Sequence, residues 1–151
     1  MKHSYSIVNW LDVPQNQDNG IDVYIKKRHI MKKPLILLVD DCAVELEVTR
    51  LYLINAGFEV ITRSRPIGTT AEILRMKPDL VLLDVLMPGL TGDKITKLIR
   101  ESGIATKIVL HSGKESNELR ELSRECGADG YIKKTNDKHV FVNKVKSFLS
   151  P

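Results

Sequence analysis

LILLVDDCAVE, residues 35–45, joins a run of five apolar residues directly to two adjacent aspartates, Asp40 and Asp41. An uninterrupted apolar run of this length is typical of a strand that is buried on both faces of a parallel sheet. The residues that follow have the periodicity of a helix. Two like charges about 4 Å apart repel by roughly 4 kcal/mol at an effective dielectric constant near 20, so another group must offset the repulsion between these carboxylates.

The same alternation of an apolar run and a helical segment repeats along the chain from residue 34 onwards. Strands are predicted at Leu35–Val39, Phe58–Thr62, Leu80–Leu83, Lys107–His111 and Gly130–Lys133. Helices are predicted at Ala43–Asn55, Gly68–Met76, Thr91–Glu101, Ser116–Cys126 and Lys138–Leu149. Five strands alternating with five helices indicate right-handed crossovers and a parallel sheet covered on both faces, which is a three-layer α/β fold.

The composition indicates one globular domain of 151 residues, of which 42% are hydrophobic and 28% charged. The sequence contains neither a long apolar run that would cross a membrane nor a secretory signal, so we expect a cytoplasmic protein with two reduced cysteines. The net charge of +4 arises mainly from residues 1–33, which hold six basic and three acidic residues. Because the remaining residues are nearly neutral, we expect no direct binding to DNA.

Polar side chains follow the predicted strands at their carboxyl ends. Asp40 and Asp41 follow the first strand, Asp84 follows the third, and Ser112 and Lys134 follow the fourth and fifth. Ligands of parallel α/β sheets bind at this edge, so we expect the five side chains to lie close together. A single Asp here could be only a helix cap, but three carboxylates favour a bound cation, and oxygen ligands favour Mg²⁺.

A carboxylate, Mg²⁺, a hydroxyl and an ammonium group together suit phosphoryl transfer. An Asp carboxylate can act as a nucleophile and form an acyl phosphate. A metal ion, a Lys and a hydroxyl can stabilise the charge on the other phosphoryl oxygens. These roles would fall to Asp84, Mg²⁺, Lys134 and Ser112.

At these residues the sequence resembles the receiver domain of bacterial two-component response regulators, over residues 34–151. The resemblance rests on VDD at 39–41, DVLMPGLTG at 84–92, Ser112 with Gly113, and GADGYIKK at 127–134. It implies a flavodoxin-like (βα)5 fold with strand order 2-1-3-4-5. With no room for an output domain after the fifth helix, we expect a stand-alone receiver similar to the chemotaxis response regulator.

The resemblance also implies how the acidic residues act. Asp84 would accept a phosphoryl group from a phosphohistidine on a sensor histidine kinase or a histidine phosphotransfer protein. Asp41 would bind Mg²⁺ directly and Asp40 largely through water, and Asp84 and the backbone carbonyl of Leu86 would complete the metal site.

Three further roles follow from the same resemblance. Ser112 and Lys134 would bind the phosphoryl oxygens. Tyr131 would report phosphorylation to the face formed by the fourth helix, the fifth strand and the fifth helix, where a downstream protein target would bind. The alternative for Tyr131 is an ordinary half-buried aromatic of a strand.

The sequence departs from the family pattern at several positions. Thr135 replaces the usual Pro after Lys134, and a cis bond before a residue other than Pro costs about 3 kcal/mol, so this bond is either stabilised by the site or trans. Lys133 is the alternative phosphate ligand, although alternation along the strand directs the two lysines to opposite faces. We interpret His111 as a strand-end side chain, and we hypothesise that Leu86 shields the acyl phosphate from water.

Residues 1–33 form an extension to the receiver segment, residues 34–151. Three alternatives remain for it: a hairpin with its turn at Asn19–Gly20, a disordered segment, or a translation start that really lies at Met31. The first predicted helix carries two apolar stripes, one of which contains Val44, Val48 and Leu51. The other stripe, with Leu46 and Leu53, is either a partner surface or additional core.

Three other functions remain to be weighed. An Asp-nucleophile phosphatase of the haloacid dehalogenase type would need a second Asp two residues after the nucleophile, where this chain has Leu86. A receiver-like interaction module that acts without phosphorylation is the other alternative, against which the complete set of acids, Ser112 and Lys134 argues. A flavodoxin-like cofactor binder would need a Ser-, Thr- or Gly-rich phosphate loop after the first strand, which the sequence lacks.

Overall fold

The computed structural model describes residues 33–151 together with Asp22 and Ile25. The chain divides into two units, residues 1–32 and residues 33–151. Most of the hairpin proposed around Asn19–Gly20, like the possible start at Met31, lies outside the described residues. Asp22 and Ile25, which that hairpin would place in its second strand, are helical.

The second unit is an α/β domain with a single five-stranded parallel sheet in the order 2-1-3-4-5. The strands are β1 (Leu35–Val39), β2 (Glu59–Arg63), β3 (Leu80–Leu83), β4 (Ile108–Ser112) and β5 (Gly130–Lys133). The helices are α1 (Ala43–Asn55), α2 (Thr69–Met76), α3 (Gly92–Glu101), α4 (Ser116–Cys126) and α5 (Lys138–Leu149). The predicted fold and strand order are confirmed, and each boundary lies within one residue of its prediction.

The sheet separates two layers of apolar side chains. Every residue of β1 and β3 is buried, as expected for central strands covered on both faces. One layer lies under α1 and α5 and includes Leu38, Leu82, Ile132 and Phe141. The other lies toward α4, where Leu119 packs with residues of β4 and of the β3–α3 loop. Alternation of side chains along each strand therefore supplies both cores at once.

Helix α1 resolves which of its two apolar stripes belongs to the core. Leu53 is fully buried and Leu46 packs against the core under α1, so this stripe is additional core rather than a partner surface. Val44, Val48 and Leu51 are exposed. Periodicity identifies both stripes, but only the packing of the helix on the sheet decides which of them faces inward.

Aspartates clamp the strands at the amino edge of the sheet. The backbone N–H of Leu35, which opens β1, donates to Asp79 Oδ2 over 2.7 Å. The N–H of Ile108, which opens β4, donates to Asp129 Oδ2 over 2.7 Å, and Arg100 pairs with the same oxygen. These contacts satisfy strand-end donors that have no partner in the sheet ladder.

Within the described part of the chain, no helix combines the length and the apolar character that a membrane span requires.

Candidate functional site

Three aspartates meet at the carboxyl edge of the sheet, as predicted. Asp40 follows β1 and Asp84 follows β3, and their side chains are almost completely buried, whereas Asp41 is exposed. One carboxylate oxygen of each residue lies within 4.8 Å of those of the other two. This spacing of oxygen ligands suits a hard divalent cation such as Mg²⁺.

Backbone hydrogen bonds fix the two buried aspartates. The N–H of Asp84 donates to the carbonyl of Val39 over 2.9 Å, and the N–H of Asp40 donates to the backbone carbonyl of Arg63 over 3.1 Å. The Asp40 carboxylate in turn accepts the N–H of Cys42 over 2.9 Å at the start of α1. Because these bonds extend the parallel ladder by one residue, both carboxylates stand where the strands end.

Gly92, the first residue of α3, packs directly against the backbone of Asp84. A Cβ atom at this position would overlap the Asp84 carbonyl oxygen and lie 3.0 Å from its carbonyl carbon. The Gly92 N–H also donates to the carbonyl of Val85 over 3.2 Å. The glycine that ends the motif DVLMPGLTG is therefore required by the close approach of α3 to the site.

Lys134 lies among the carboxylates. Its Nζ donates to Asp40 Oδ2 over 2.8 Å and is 3.6 Å from Asp84 Oδ1. A third carboxylate, Glu45 in the first turn of α1, also accepts a hydrogen bond from this ammonium group. The ammonium group thus provides part of the positive charge that the acidic cluster needs.

Lys134 rather than Lys133 reaches the site. Lys133 Nζ pairs with the Glu115 carboxylate at 2.9 Å, as alternation along β5 requires. Within residues 33–151 no peptide bond is cis, so the bond between Lys134 and Thr135 is trans. A trans bond therefore suffices to bring Lys134 to Asp40 and Asp84.

Burial and charge set the proton affinities of the site. Burial raises the pKa of Asp84 above its ordinary value, and the charge of Asp40 acts in the same direction, while Lys134 opposes both. Burial alone would lower the pKa of Lys134, but hydrogen bonds to Asp40 and Glu45 raise it above its ordinary value. Lys134 therefore remains a cation, next to the Asp84 carboxyl group, whose ionisation burial disfavours.

The remaining predicted residues also lie at or near this edge. Ser112 is fully buried at the end of β4, and the N–H of Lys114 lies 3.5 Å from its Oγ. Leu86 follows Asp84 closely, its side chain is 58% exposed, and its N–H lies 3.4 Å from Asp84 Oδ1. Tyr131 is half-buried and packs against the core under α4.

His111 is buried next to Ser112 at the end of β4. Its ring centroid lies 5.1 Å from that of Phe141 in α5. Burial lowers the pKa of His111 to about 3, and the nearby charge of Lys134 acts in the same direction. The imidazole is consequently neutral at neutral pH.

Glu45 is the residue of the site that sequence reasoning missed. An acidic residue in the first turn of a helix is ordinarily explained by the helix dipole, and no pattern connects it with a lysine 89 residues later. Only the fold, in which α1 packs against α5 and the first two strands, brings the start of α1 close to the residue that follows β5.

The sequence pattern of the response regulator receiver domain matches residues 36–146. The transcriptional regulatory protein CseB of Streptomyces coelicolor is 32% identical over 114 residues, which are 76% of this chain and 48% of CseB. The phosphate regulon regulatory protein PhoB of Pseudomonas aeruginosa is 32% identical over 118 residues, 76% of this chain and 51% of PhoB. The chain thus spans about half the length of these relatives.

Solved structures agree with this match. The activated receiver domain of Klebsiella pneumoniae RstA superposes with a TM-score of 0.71 at 31% identity, covering 78% of this chain and 99% of that domain. The chemotaxis protein CheY4 of Vibrio cholerae has the same fold, with a TM-score of 0.71 at 24% identity over 78% of this chain and 99% of CheY4. The chain belongs to the response regulator receiver domain family.

Proposed function

We propose that this protein is a phosphoacceptor of two-component signal transduction, in which Asp84 accepts a phosphoryl group in a Mg²⁺-dependent reaction and a partner protein reads the change. One observation carries the proposal. Carboxylate oxygens of Asp40, Asp41 and Asp84 lie within 4.8 Å of one another, and Lys134 Nζ lies 3.6 Å from Asp84. A nucleophile, a cation site and a fixed positive charge therefore converge at one point.

The three aspartates would bind Mg²⁺ differently, one through water and the others directly. Both oxygens of Asp40 already accept hydrogen bonds, from Cys42 and from Lys134, which favours contact with the metal through water. Asp41 is exposed and available for direct coordination, and Asp84 and the Leu86 carbonyl would complete the protein ligands. When bound, Mg²⁺ supplies positive charge beside the acceptor carboxylate.

Phosphoryl transfer then requires little else of the protein. A carboxylate oxygen of Asp84 forms a bond to phosphorus while the bond from phosphorus to the imidazole nitrogen of the donor breaks, and the imidazole keeps that electron pair. Lys134 and the hydroxyl of Ser112 would stabilise the equatorial oxygens. The charge of Lys134 also favours the ionised, nucleophilic form of Asp84.

Partners follow from the same chemistry. The donor would be a sensor histidine kinase or a histidine phosphotransfer protein, because either one presents a phosphoimidazole. The downstream protein would bind the face of α4, β5 and α5, where Tyr131 packs at the edge of the core. Within this proposal the protein acts on its own phosphoryl group and on no separate substrate.

The proposal is tested by intact mass measurement after incubation with acetyl phosphate, in Mg²⁺ or in EDTA. We expect an adduct of one phosphoryl group on the wild type in Mg²⁺ only. Asp84→Asn should give none, whereas Asp93→Asn, a matched change in α3 outside the acidic cluster, should behave as the wild type does.

Two results would contradict the proposal. A folded wild type that forms no adduct, with acetyl phosphate or with phosphorylated kinases, would indicate an interaction module that acts without phosphorylation. Continuous turnover of acetyl phosphate far beyond one equivalent, without an accumulating adduct, would instead indicate a phosphatase.

A further inference from the structure

Glu45 competes with the acidic cluster for the ammonium group of Lys134. Lys134 Nζ donates to Asp40 Oδ2 over 2.8 Å and also donates to Glu45 Oε2, whereas Asp84 Oδ1 lies 3.6 Å away. A charge-assisted hydrogen bond between such groups is about 2.7–2.9 Å long, so Lys134 is hydrogen-bonded to Asp40 and Glu45 but not to Asp84. Two of the three donors of the ammonium group are therefore held by carboxylates other than that of Asp84.

The two carboxylates that hold Lys134 differ in exposure. The side chain of Asp40 is 2% exposed, and that of Glu45 is 49% exposed. Without Lys134 the Asp40 carboxylate would be a buried charge with no cation, which is strongly unfavourable. The Glu45 carboxylate would instead regain water, so its ion pair with Lys134 is weak. When another anion competes for Lys134, Glu45 is therefore the partner that yields.

A cleft between α1 and α5 gives Glu45 room to move. It is lined by Glu45 and Lys134 together with Thr135 and Asn136, and the three aspartates do not line it. Glu45 lies in the first turn of α1, so its side chain reaches Lys134 from a helix end at the edge of this cleft. The Glu45 carboxylate can consequently leave Lys134 for solvent while the aspartates keep their positions.

We propose that Glu45 is a positioning residue that restrains Lys134 before phosphoryl transfer, and that Lys134 exchanges Glu45 for a phosphoryl oxygen when Asp84 is phosphorylated. The inference rests on the proposed function, because it concerns the same site. Lys134 remains an ammonium group during the exchange, so no proton moves and only a hydrogen-bond acceptor changes. Breaking the pair adds to the barrier of the transfer, so Glu45 slows phosphorylation in the wild type.

The first measurement asks whether Glu45 holds Lys134 in solution, and it uses the full chain without Mg²⁺ and without a phosphoryl donor. The NMR resonance of the Lys134 Cε methylene group is the readout. Glu45→Gln removes the charge and keeps the size of the side chain, so it should shift this resonance. Glu47→Gln makes the same change in the same helix, where Glu47 pairs with Arg50, and should leave the resonance unchanged.

The second measurement is the rate of adduct formation with saturating acetyl phosphate in Mg²⁺. In this reaction an Asp84 oxygen bonds to phosphorus, and acetate leaves with the electron pair of its bond to phosphorus. Glu45→Gln should form the adduct about two- to fivefold faster than the wild type, which is the range that an exposed ion pair accounts for. Glu47→Gln should form it at the rate of the wild type.

Ionic strength separates a restraint on Lys134 from a change in the fold. At about 1 M salt the Debye length is about 3 Å, so the exposed pair with Glu45 is screened, whereas the buried pair with Asp40 is screened much less. The ratio of the Glu45→Gln rate to the wild-type rate should therefore fall toward one. A variant that is faster because its fold is altered would remain faster.

Three results would overturn the inference. The first is a Lys134 resonance that Glu45→Gln leaves unchanged, and the second is a Glu45→Gln rate equal to or below that of the wild type. The third is a ratio of the two rates that high salt does not lower. A wild type that forms no adduct would refute the proposed function and this inference with it, so the wild type alone distinguishes the two failures.

Discussion

Gly92→Ala is the substitution whose effect the structure defines most sharply. In an exposed helix, exchanging Gly for Ala adds up to about 1 kcal/mol of stability. Here the new Cβ would overlap the Asp84 carbonyl oxygen, 3.0 Å from its carbonyl carbon and 3.2 Å from Leu83 Cγ. These neighbours are backbone atoms and a buried side chain of β3, which cannot rotate away. Overpacking of this kind costs about 1–3 kcal/mol, so we expect a net loss of stability of about that size.

Urea denaturation at neutral pH measures this loss. Gly113→Ala is the matched control, because a Cβ there meets nothing within 4 Å and the residue does not have a positive φ. We expect Gly113→Ala to change the free energy of unfolding by less than about 0.5 kcal/mol.

Gly92→Ala should also slow the proposed phosphorylation of Asp84. Relief of the overlap moves either α3 or the Asp84 backbone, so Gly92→Ala should form the phosphoryl adduct more slowly than Gly113→Ala does. Equal stability and equal adduct formation in the two variants would refute the reasoning, because α3 would then have moved aside without cost.

Three further outcomes follow from the site. Burial holds the pKa of Asp84 above its value in the unfolded chain, so the folded protein loses stability as the pH rises from the unfolded pKa through the folded one. Asp84→Asn should therefore raise the urea midpoint at neutral pH without Mg²⁺ and flatten the pH dependence of that midpoint. An unchanged midpoint would contradict this expectation. Lys134→Met should lower the free energy of unfolding by about 2–4 kcal/mol, because it leaves the Asp40 carboxylate buried without a cation. Lys133→Met breaks a more exposed ion pair and should lower it by less than about 1 kcal/mol. Equal losses in the two denaturation curves would argue against a special role for Lys134. Leu86→Asn should shorten the half-life of the acyl phosphate severalfold if the exposed leucine excludes water, and a half-life unchanged in the mass assay would rule out such shielding.

Much of the fold and of the acidic cluster could be predicted from local sequence. The runs at Leu35–Val39 and Leu80–Leu83 identify central strands because only burial on both faces tolerates such composition. Parallel strands place their carboxyl ends at one edge, so Asp40 and Asp84 had to converge once the strands were identified. Alternation likewise separated Lys134 from Lys133. The composition and alternation rules act over a few residues, and the edge rule holds for every parallel strand, so none of these inferences needs a particular contact between side chains.

The rest depends on contacts between distant segments. Periodicity could not decide which stripe of α1 faces the sheet, and Val44 proved to be exposed while Leu53 is buried. Nor could sequence connect Glu45 with Lys134, or place Phe141 over His111. The trans bond before Thr135 was one of two open alternatives, since its geometry follows from the packing of the whole loop.

The aspartate clamps at the amino edge have a consequence for how mutations would affect cells that carry this protein. Asp79 and Asp129 anchor β1 and β4 at the edge opposite to Asp84, about one strand length of roughly 15 Å away. Loss of a clamp would reduce the fraction of folded molecules, and proteases would remove the remainder. Under the proposed function, each folded molecule should still accept a phosphoryl group at Asp84 at the rate of the wild type. Variation at this edge would therefore change the amount of folded protein in the cell and leave the chemistry of each folded molecule unaltered.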